Sequence, residues 1–212
     1  MENKIYQLYL RLLGKHGSPE KFWPNWCSSQ KTLREREIIL IGAILTQRTA
    51  WHNAELALKN LRKNGLLSVD KIAKLKDFNK LKPLIRSAGF YNTKSLRLSK
   101  LCSFIVKYYG NLNNFMKEKF SKSRLRLLAL PGIGPETADT ILLYCLDKPS
   151  FIVDEYTRRI VKREKISSRK EYDFLKKLFE KNLPVDSKIY QDFHALIIID
   201  QKGEDKSLMK KY

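Results

Sequence analysis

The sequence predicts an all-α protein. Apolar residues recur at three- and four-residue spacing through almost the whole chain, as at Ile5, Leu8 and Leu12, and this is the period of a helix with one buried face. Strand signals are confined to segments 149–154 and 195–200, and the second lies in a helical frame. No fixed-period repeat and no Gly/Ser- or Pro-rich linker divides the chain, so we expect short connections between helices.

The helices follow one another with recognisable boundaries. Segment 2–17 is amphipathic and meets Gly14 and Gly17, which we expect to end it. Segment 32–47 is apolar nearly all round, which is typical of a buried helix. The other predicted helical segments are 50–65 (ended by Gly65), 68–76 (capped by Ser68), a short 78–89, 92–110 (closed by Gly110), 121–130, 135–146, 154–164, 169–182 and 186–203.

Composition narrows the class of partner. Lys and Arg number 42 against 22 Asp and Glu, a net charge of +20, so a polyanion is favoured and nucleic acid leads. Charge alone does not separate DNA from RNA, a ribosome or an anionic membrane surface. The longest apolar run, 38–45, is far shorter than the roughly 20 residues that cross a bilayer. The N-terminus has helical spacing and no cleavable apolar block, so we expect a cytoplasmic, nucleoid-associated protein without a membrane partner.

The three cysteines are odd in number and widely spaced: Cys27, Cys102 and Cys145. This pattern favours reduced, buried thiols. Because no CxxC pair or Cys/His cluster is present, we expect no structural zinc and no iron–sulfur cluster.

The segment LPGIG, 130–134, interrupts the helical pattern between two helices. Pro131 disfavours helix in the residue before it, and Gly132 and Gly134 allow the backbone to approach another surface. Pro135 suits the first turn of the next helix. The outward N–H groups of such a hairpin form a phosphate site, although an ordinary corner between two helices would read the same way.

Four motifs in order resemble the helix-hairpin-helix Gly/Pro-Asp (HhH-GPD) DNA glycosylase superfamily: AILTQRT, SAGFYNTKSLRL, LPGIG and FIVDEYTRRI. The resemblance covers roughly residues 20–200. It implies that the hairpin docks on DNA phosphates and that Asp154, 22 positions after Gly132, is the catalytic aspartate. Asp139, in the helix that follows the hairpin loop, is the alternative candidate for the catalytic aspartate.

The position of Glu136 separates two branches of that superfamily. Endonuclease III-like members carry a lysine there, which forms an imine with the sugar and cleaves the strand. A carboxylate cannot form an imine, so the resemblance implies a monofunctional glycosylase. An acid in the first turn also suits the helix dipole whatever the chemistry. Endonuclease III further ends in a four-cysteine iron–sulfur loop, for which this chain has no cysteines after Cys145.

The bacterial 3-methyladenine DNA glycosylase III group lacks both features, and FWPNW and LTQRTAWHNAE resemble it more closely. In that group an aromatic residue after LTQ stacks on the extruded base. Trp51 occupies that place, and Trp23 and Pro24 match other pocket-wall residues. The group's lysine shortly after FH is missing here, where Ala195 and Leu196 stand, so this part of the pocket differs.

The resemblance and the chemistry assign further roles. Asp154 would stabilise an oxocarbenium-like sugar and activate water, with helix capping as its plain structural role. The electron-rich face of Trp51 would favour a cationic base. His194, on an apolar helix face, we interpret as a core residue. The residues expected to enter the DNA duplex are Gln47, Phe90, Tyr91 and Asn92. Alternatively, Phe90 and Tyr91 only start the following helix. The residues expected to bind DNA phosphates are Gly132, Ile133, Gly134, Lys94, Arg158 and Arg159.

The sequence therefore predicts a two-lobed helical HhH-GPD fold with the active-site cleft between the lobes. One lobe, 30–140, is a six-helix barrel-like unit ending in the hairpin; the other, 1–29 with 141–212, carries Asp154. We expect a monomer that acts in base-excision repair of duplex DNA, most readily by removing an alkylated base. Two alternatives stay open: a mismatch (thymine or uracil opposite guanine) or oxidised-base glycosylase, with or without AP lyase activity, and a DNA-binding protein that does not catalyse.

Overall fold

The computed structural model describes residues 3–203, which form α-helices and short 3₁₀ turns and contain no β-strand. None of these helices has the length and apolar character that crossing a bilayer requires. The helices in chain order are α1 (Lys4–His16), α2 (Pro24–Cys27), α3 (Leu33–Leu45), α4 (Trp51–Lys63), α5 (Val69–Ala73), α6 (Tyr91–Tyr109), α7 (Leu112–Met116), α8 (Phe120–Leu128), α9 (Pro135–Thr140), α10 (Glu155–Arg163), α11 (Tyr172–Lys181) and α12 (Ser187–Gly203).

The chain divides into two compact units. Lys31–Ile141 form what we call the hairpin unit, and Met1–Gln30 with Leu142–Tyr212 form the aspartate unit. The boundary falls inside one continuous helical stretch, because α9 passes into a π-helical turn at Ile141–Cys145.

The hairpin unit is built around α3. Thr32 and Glu35 form a reciprocal capping box at its start, and every residue from Ile38 to Leu45 is buried. The unit contains α3 to α9, of which the one-turn helix α7 was not predicted. Its cap is Asn111, whose side chain accepts from the backbone N–H of Asn114. A helix of one turn has too few residues to show a periodic hydrophobic pattern.

Two local expectations in the sequence were wrong. Segment 78–89 forms two 3₁₀ turns, Phe78–Leu81 and Arg86–Ala88, because Pro83 lacks the N–H that an α-helix needs. Gly14 lies inside α1, and the helix ends instead at Gly17, whose φ of 72° is the left-handed geometry that favours glycine.

The core of the aspartate unit is aromatic. The rings of Phe151 and Phe179 stack at 4.4 Å, and Phe193 of α12 packs against both. The three cysteines of the chain are buried as expected, and no disulfide joins them.

A buried carboxylate joins three helices of the aspartate unit. Asp200 of α12 accepts hydrogen bonds from Lys15 (2.7 Å) and His16 (2.8 Å) of α1 and from Arg163 (2.6 Å) of α10. Burial alone would raise the pKa of Asp200, but these three basic partners hold it well below its usual range. The carboxylate therefore stabilises the position of α12, which also carries His194.

Candidate active site

The LPGIG loop forms a tight turn between α8 and α9. Gly132 has a φ of 81°, and a Cβ at this position would lie 2.0 Å from Nε of Arg97. Glycine is therefore required twice, by the backbone conformation and by the guanidinium against it. Ile133 is buried and anchors the loop, whereas Gly134 is exposed with open space around it. Gly134 precedes Pro135 at the start of α9, where no side-chain cap covers the first N–H groups.

Gln47 braces this loop. Its amide Nε2 donates to the carbonyl oxygen of Gly132 (3.0 Å) and to Oγ1 of Thr137 (2.9 Å). Its Oε1 accepts from Arg97 (2.6 Å), the residue that packs against Gly132. The side chain predicted to enter DNA thus links α3, α6 and the hairpin loop of the free protein.

The predicted wedge residues flank a strained turn. Phe90 has a φ of 45° and is 62% exposed, and Asn92 is exposed beside it. Tyr91 is half-buried, with Arg86 over its ring. Arg48, which was not among the predicted site residues, has a φ of 52° and holds its guanidinium 5.8 Å from the centre of the Phe90 ring. Left-handed geometry at bulky residues is costly and is concentrated at functional sites.

Lys94 is not a phosphate ligand in this structure, contrary to the sequence prediction. The residue is 1% exposed, and its ammonium donates to the carbonyls of Leu45 and Ala88 and to Oγ1 of Thr49, each at 2.7 Å. Burial, with a smaller effect of Arg97, lowers the pKa of Lys94 to about 8. Lys94 joins the two segments that present Arg48 and Phe90, so its role is to fix their positions.

Asp154 caps helix α10 of the aspartate unit. Its Oδ1 accepts from the backbone N–H of Thr157 at 2.7 Å, and its Oδ2 lies 3.4 Å from Nε2 of His194. Burial alone would raise the pKa of Asp154, but the nearby imidazole of His194 and the hydrogen bond from the Thr157 N–H outweigh it and lower the pKa. Because its pKa is lowered, this carboxylate is ionised at neutral pH. It accepts a backbone hydrogen bond through one oxygen, and its side chain is 15% exposed, so a ligand can reach it.

His194 is buried, as expected for a core residue, but it also contacts Asp154. Its Nδ1 lies 2.8 Å from the hydroxyl of Tyr144, and the edge of Tyr144 meets Trp26 with ring centres 5.2 Å apart. No local feature of the sequence signals this contact beyond the apolar neighbours of His194, because its partners are 40 and 50 positions away.

The remaining predicted residues lie as follows. In the hairpin unit, Trp51 is half-buried at the start of α4 and Glu136 is exposed in the first turn of α9. In the aspartate unit, Trp23 is half-buried and Pro24 is exposed at the start of α2.

The two arginines of α10 differ. Arg158 donates to the carbonyl oxygens of Val153 (3.1 Å) and Lys170 (3.4 Å), so its guanidinium holds the chain on either side of α10. Arg159 is exposed and pairs with Glu155 one turn earlier at 3.1 Å. Because exposed pairs are weak, Arg159 is the better placed of the two to meet a phosphate.

Within residues 3–203, no group of three or more His, Cys, Asp or Glu side chains could hold a metal ion. The segment after residue 203, which by resemblance to endonuclease III would precede a cluster loop, lies outside the described residues.

Residues 41–185 match the model of the HhH-GPD superfamily base excision DNA repair proteins. A Methanocaldococcus jannaschii protein whose name describes a DNA repair glycosylase is 45% identical over 203 residues, covering 93% of this chain and 88% of that protein. The chain belongs to the HhH-GPD superfamily, and it is a base-excision-repair DNA glycosylase of that family.

Solved structures confirm the fold. The structure of Helicobacter pylori 3-methyladenine DNA glycosylase (MagIII) bound to 1,N6-ethenoadenine is 29% identical, with a TM-score of 0.78 over 96% of this chain and 99% of that one. The structure of a trapped endonuclease III–DNA covalent intermediate is 21% identical, with a TM-score of 0.66 over 94% of this chain and 86% of that one. The second likeness concerns the fold alone.

Proposed function

We propose that this glycosylase is monofunctional and acts on an alkylated base in duplex DNA. It would extrude the damaged nucleotide, hydrolyse its N-glycosidic bond and leave an abasic site. The observation that carries the proposal is Asp154, an ionised carboxylate bound through Oδ1 to the backbone N–H of Thr157 and still partly exposed.

The carboxylate would act on the sugar. Cleavage of the N-glycosidic bond passes through an oxocarbenium-like transition state, whose positive charge a nearby carboxylate stabilises. Asp154 can also orient water or take its proton, since its pKa lies below the usual range and it is ionised at neutral pH. A 3-methylated adenine already carries positive charge, so its departure needs little protonation.

The base would be selected by aromatic stacking. Trp51 would stack on the extruded base, and an indole face favours a cationic base over neutral adenine or guanine. Trp23 and Pro24 of the aspartate unit are further candidates for contact with the base. The likeness to the H. pylori 3-methyladenine glycosylase, whose structure holds 1,N6-ethenoadenine, supports this substrate class. Ala195 and Leu196, where the resemblance expects a lysine nearby, limit the assignment to alkylated bases as a class.

DNA binding would use the hairpin and the strained turn. The N–H groups at Gly132, Ile133 and Gly134 would meet phosphates, helped by Arg159 and the net charge of +20. Phe90, with Arg48 beside it, would enter the stack when the base leaves, because unstacking costs a few kcal/mol and the vacated space must be filled. Gln47, Tyr91 and Asn92 would support it from either side.

Glu136 is the basis for the monofunctional proposal. The residue is exposed at the place where the resemblance puts a lysine in endonuclease III, and a carboxylate cannot form the imine that precedes strand cleavage. We also propose that the enzyme needs no iron–sulfur cluster, since its sequence has three cysteines and none after Cys145.

A lesion panel tests the substrate class. Duplexes carrying 3-methyladenine, 7-methylguanine, uracil or thymine opposite guanine, and 8-oxoguanine are incubated with excess enzyme, and free base is measured by mass spectrometry. We expect the methylated purines to be released fastest. Faster release of thymine, uracil or 8-oxoguanine would establish the mismatch or oxidised-base alternative, and release of no base would favour a protein that only binds DNA.

Borohydride trapping tests the monofunctional proposal separately. The enzyme is mixed with abasic duplex and sodium borohydride, with an endonuclease III as the positive control. We expect intact abasic strands and no covalent adduct. An adduct that forms as efficiently as the control's would show that another lysine acts as the nucleophile.

A further inference from the structure

Beside Asp154 lies a buried polar atom without a partner. In the part of the chain that the structure describes, Nε2 of His194 is the one buried side-chain nitrogen or oxygen that makes no hydrogen bond. The residue is 6% exposed, and Nε2 faces Oδ2 of Asp154 at 3.4 Å, just outside hydrogen-bonding geometry. Buried polar atoms of this kind are rare, so this one requires an explanation.

The opposite nitrogen of the same ring is fixed. Nδ1 of His194 lies 2.8 Å from the hydroxyl of Tyr144, a residue that is 1% exposed. That hydroxyl also lies 3.1 Å from the carbonyl oxygen of Gln191, which can only accept. The ring is therefore held from behind by Tyr144, with its other edge toward Asp154.

The position of the proton on Nε2 follows from these contacts. If Tyr144 donates to Gln191, Nδ1 of His194 carries a proton, and a neutral ring would then aim a lone pair at the carboxylate. Because that arrangement is repulsive, the ring would be an imidazolium with a second proton on Nε2. If Tyr144 instead donates to Nδ1, the neutral tautomer has its proton on Nε2. Both arrangements that tolerate an ionised Asp154 place an N–H toward Oδ2.

We propose that His194 is a positioning residue for Asp154: its Nε2–H aligns Oδ2, and Tyr144 fixes the ring. The Thr157 N–H holds only Oδ1, so Oδ2 has no backbone donor that fixes its direction. A second tether on Oδ2 sets the plane of the carboxylate, and with it the direction of the lone pair that faces the sugar. This role rests on the proposed function of Asp154.

Matched variants test the tether. The amide nitrogen of glutamine reaches about as far as Nε2 of histidine, whereas that of asparagine reaches about as far as Nδ1. We expect His194→Gln to keep most of the single-turnover rate of base release. We expect His194→Asn to lose roughly 10–100-fold, as for groups that orient a metal-bound side chain. Tyr144→Phe, which frees the ring but retains the N–H, should fall between them.

Affinity separates positioning from general damage to the fold. The Kd for a duplex with a tetrahydrofuran abasic analogue should change less than about threefold in all three variants, because the defect lies in the rate of the chemical step. Equal rates for the Gln and Asn variants, or an Asn variant as fast as the wild type, would overturn the proposal.

A spectroscopic measurement on the wild-type protein is independent of catalysis. Imidazole ¹⁵N NMR of the wild-type protein, with the His194 signal assigned by its absence in His194→Gln, should show a protonated Nε2 at neutral pH. An unprotonated Nε2 would overturn the tether even if base release is normal. Conversely, a protonated Nε2 in a protein that releases no base from any lesion would contradict the proposed function and leave the Asp154–His194 contact standing.

Discussion

Two carboxylates of the aspartate unit, Asp200 and Asp154, have surroundings that differ. Asp200 has a side chain 1% exposed and accepts from three basic side chains. Asp154 is 15% exposed and, among the described residues, accepts one backbone hydrogen bond and faces one histidine. A carboxylate offers about four lone-pair sites, so Asp200 is nearly saturated whereas Asp154 retains capacity for a ligand. Saturation of this kind distinguishes a charge that holds the fold from a charge that is available for chemistry.

Replacing the saturated carboxylate should cost stability. Asp200→Asn leaves the partners from α1 and α10 without a counter-charge, and breaking a buried ion pair costs about 3–5 kcal/mol. We expect the free energy of unfolding in urea to fall by that amount. The single-turnover rate of base release, measured where the variant is folded, should stay within about threefold of the wild type. A large loss of rate with unchanged stability would show that the comparison between Asp200 and Asp154 is wrong.

Asp139, the rival considered for catalysis, gives a third case. It is fully buried in the hairpin unit, and Arg124 donates to both of its oxygens at 2.8 and 3.1 Å. By the same reasoning Asp139 holds the fold. Asp139→Asn should lower the free energy of unfolding by about 2–3 kcal/mol, less than at Asp200, where three basic side chains lose their counter-charge. Base release per folded molecule is the matching measurement, and its loss would restore Asp139 as a catalytic candidate.

The lowered pKa of Asp200 should make the free energy of unfolding depend on pH in the acid range. In the unfolded chain this carboxyl titrates near its ordinary value of about 3.9, whereas in the fold its pKa lies well below that. Its contribution is therefore complete above about pH 4 and is lost as the pH falls through the folded pKa, an effect on the order of 2 kcal/mol. We expect wild-type stability to fall more steeply than that of Asp200→Asn between about pH 4 and pH 2. Parallel curves would contradict this assignment.

The fold class and the hairpin could be predicted because they depend on residues that are close together in the sequence. Two glycines and two prolines within 131–135 dictate the turn, and the family resemblance points to Asp154, 22 positions after Gly132. Lys94 was misassigned, although a signal was present: it lies four and seven residues before Leu98 and Leu101, on the buried face of α6. A positive charge on a helical face suggests exposure, and only the distant acceptors at Leu45 and Thr49 make its burial tolerable.

Other features had no local signal. The left-handed φ of Arg48 and of Phe90 depends on how the turns are fixed by Lys94, and the contact between His194 and Asp154 joins residues 40 positions apart. Contacts of this kind arise from packing between elements. Periodicity gives the buried face of each helix and leaves open which partner that face meets.

Asp154 is the carboxylate proposed to act on the sugar, and one substitution tests this role directly. Asparagine caps a helix as well as aspartate does, so Asp154→Asn should change the free energy of unfolding by no more than about 1 kcal/mol. The single-turnover release of 3-methyladenine from duplex DNA should nevertheless fall by about 10³-fold, since the charge that stabilises the transition state is gone. A folded Asp154→Asn protein that releases the base at close to the wild-type rate would contradict the account.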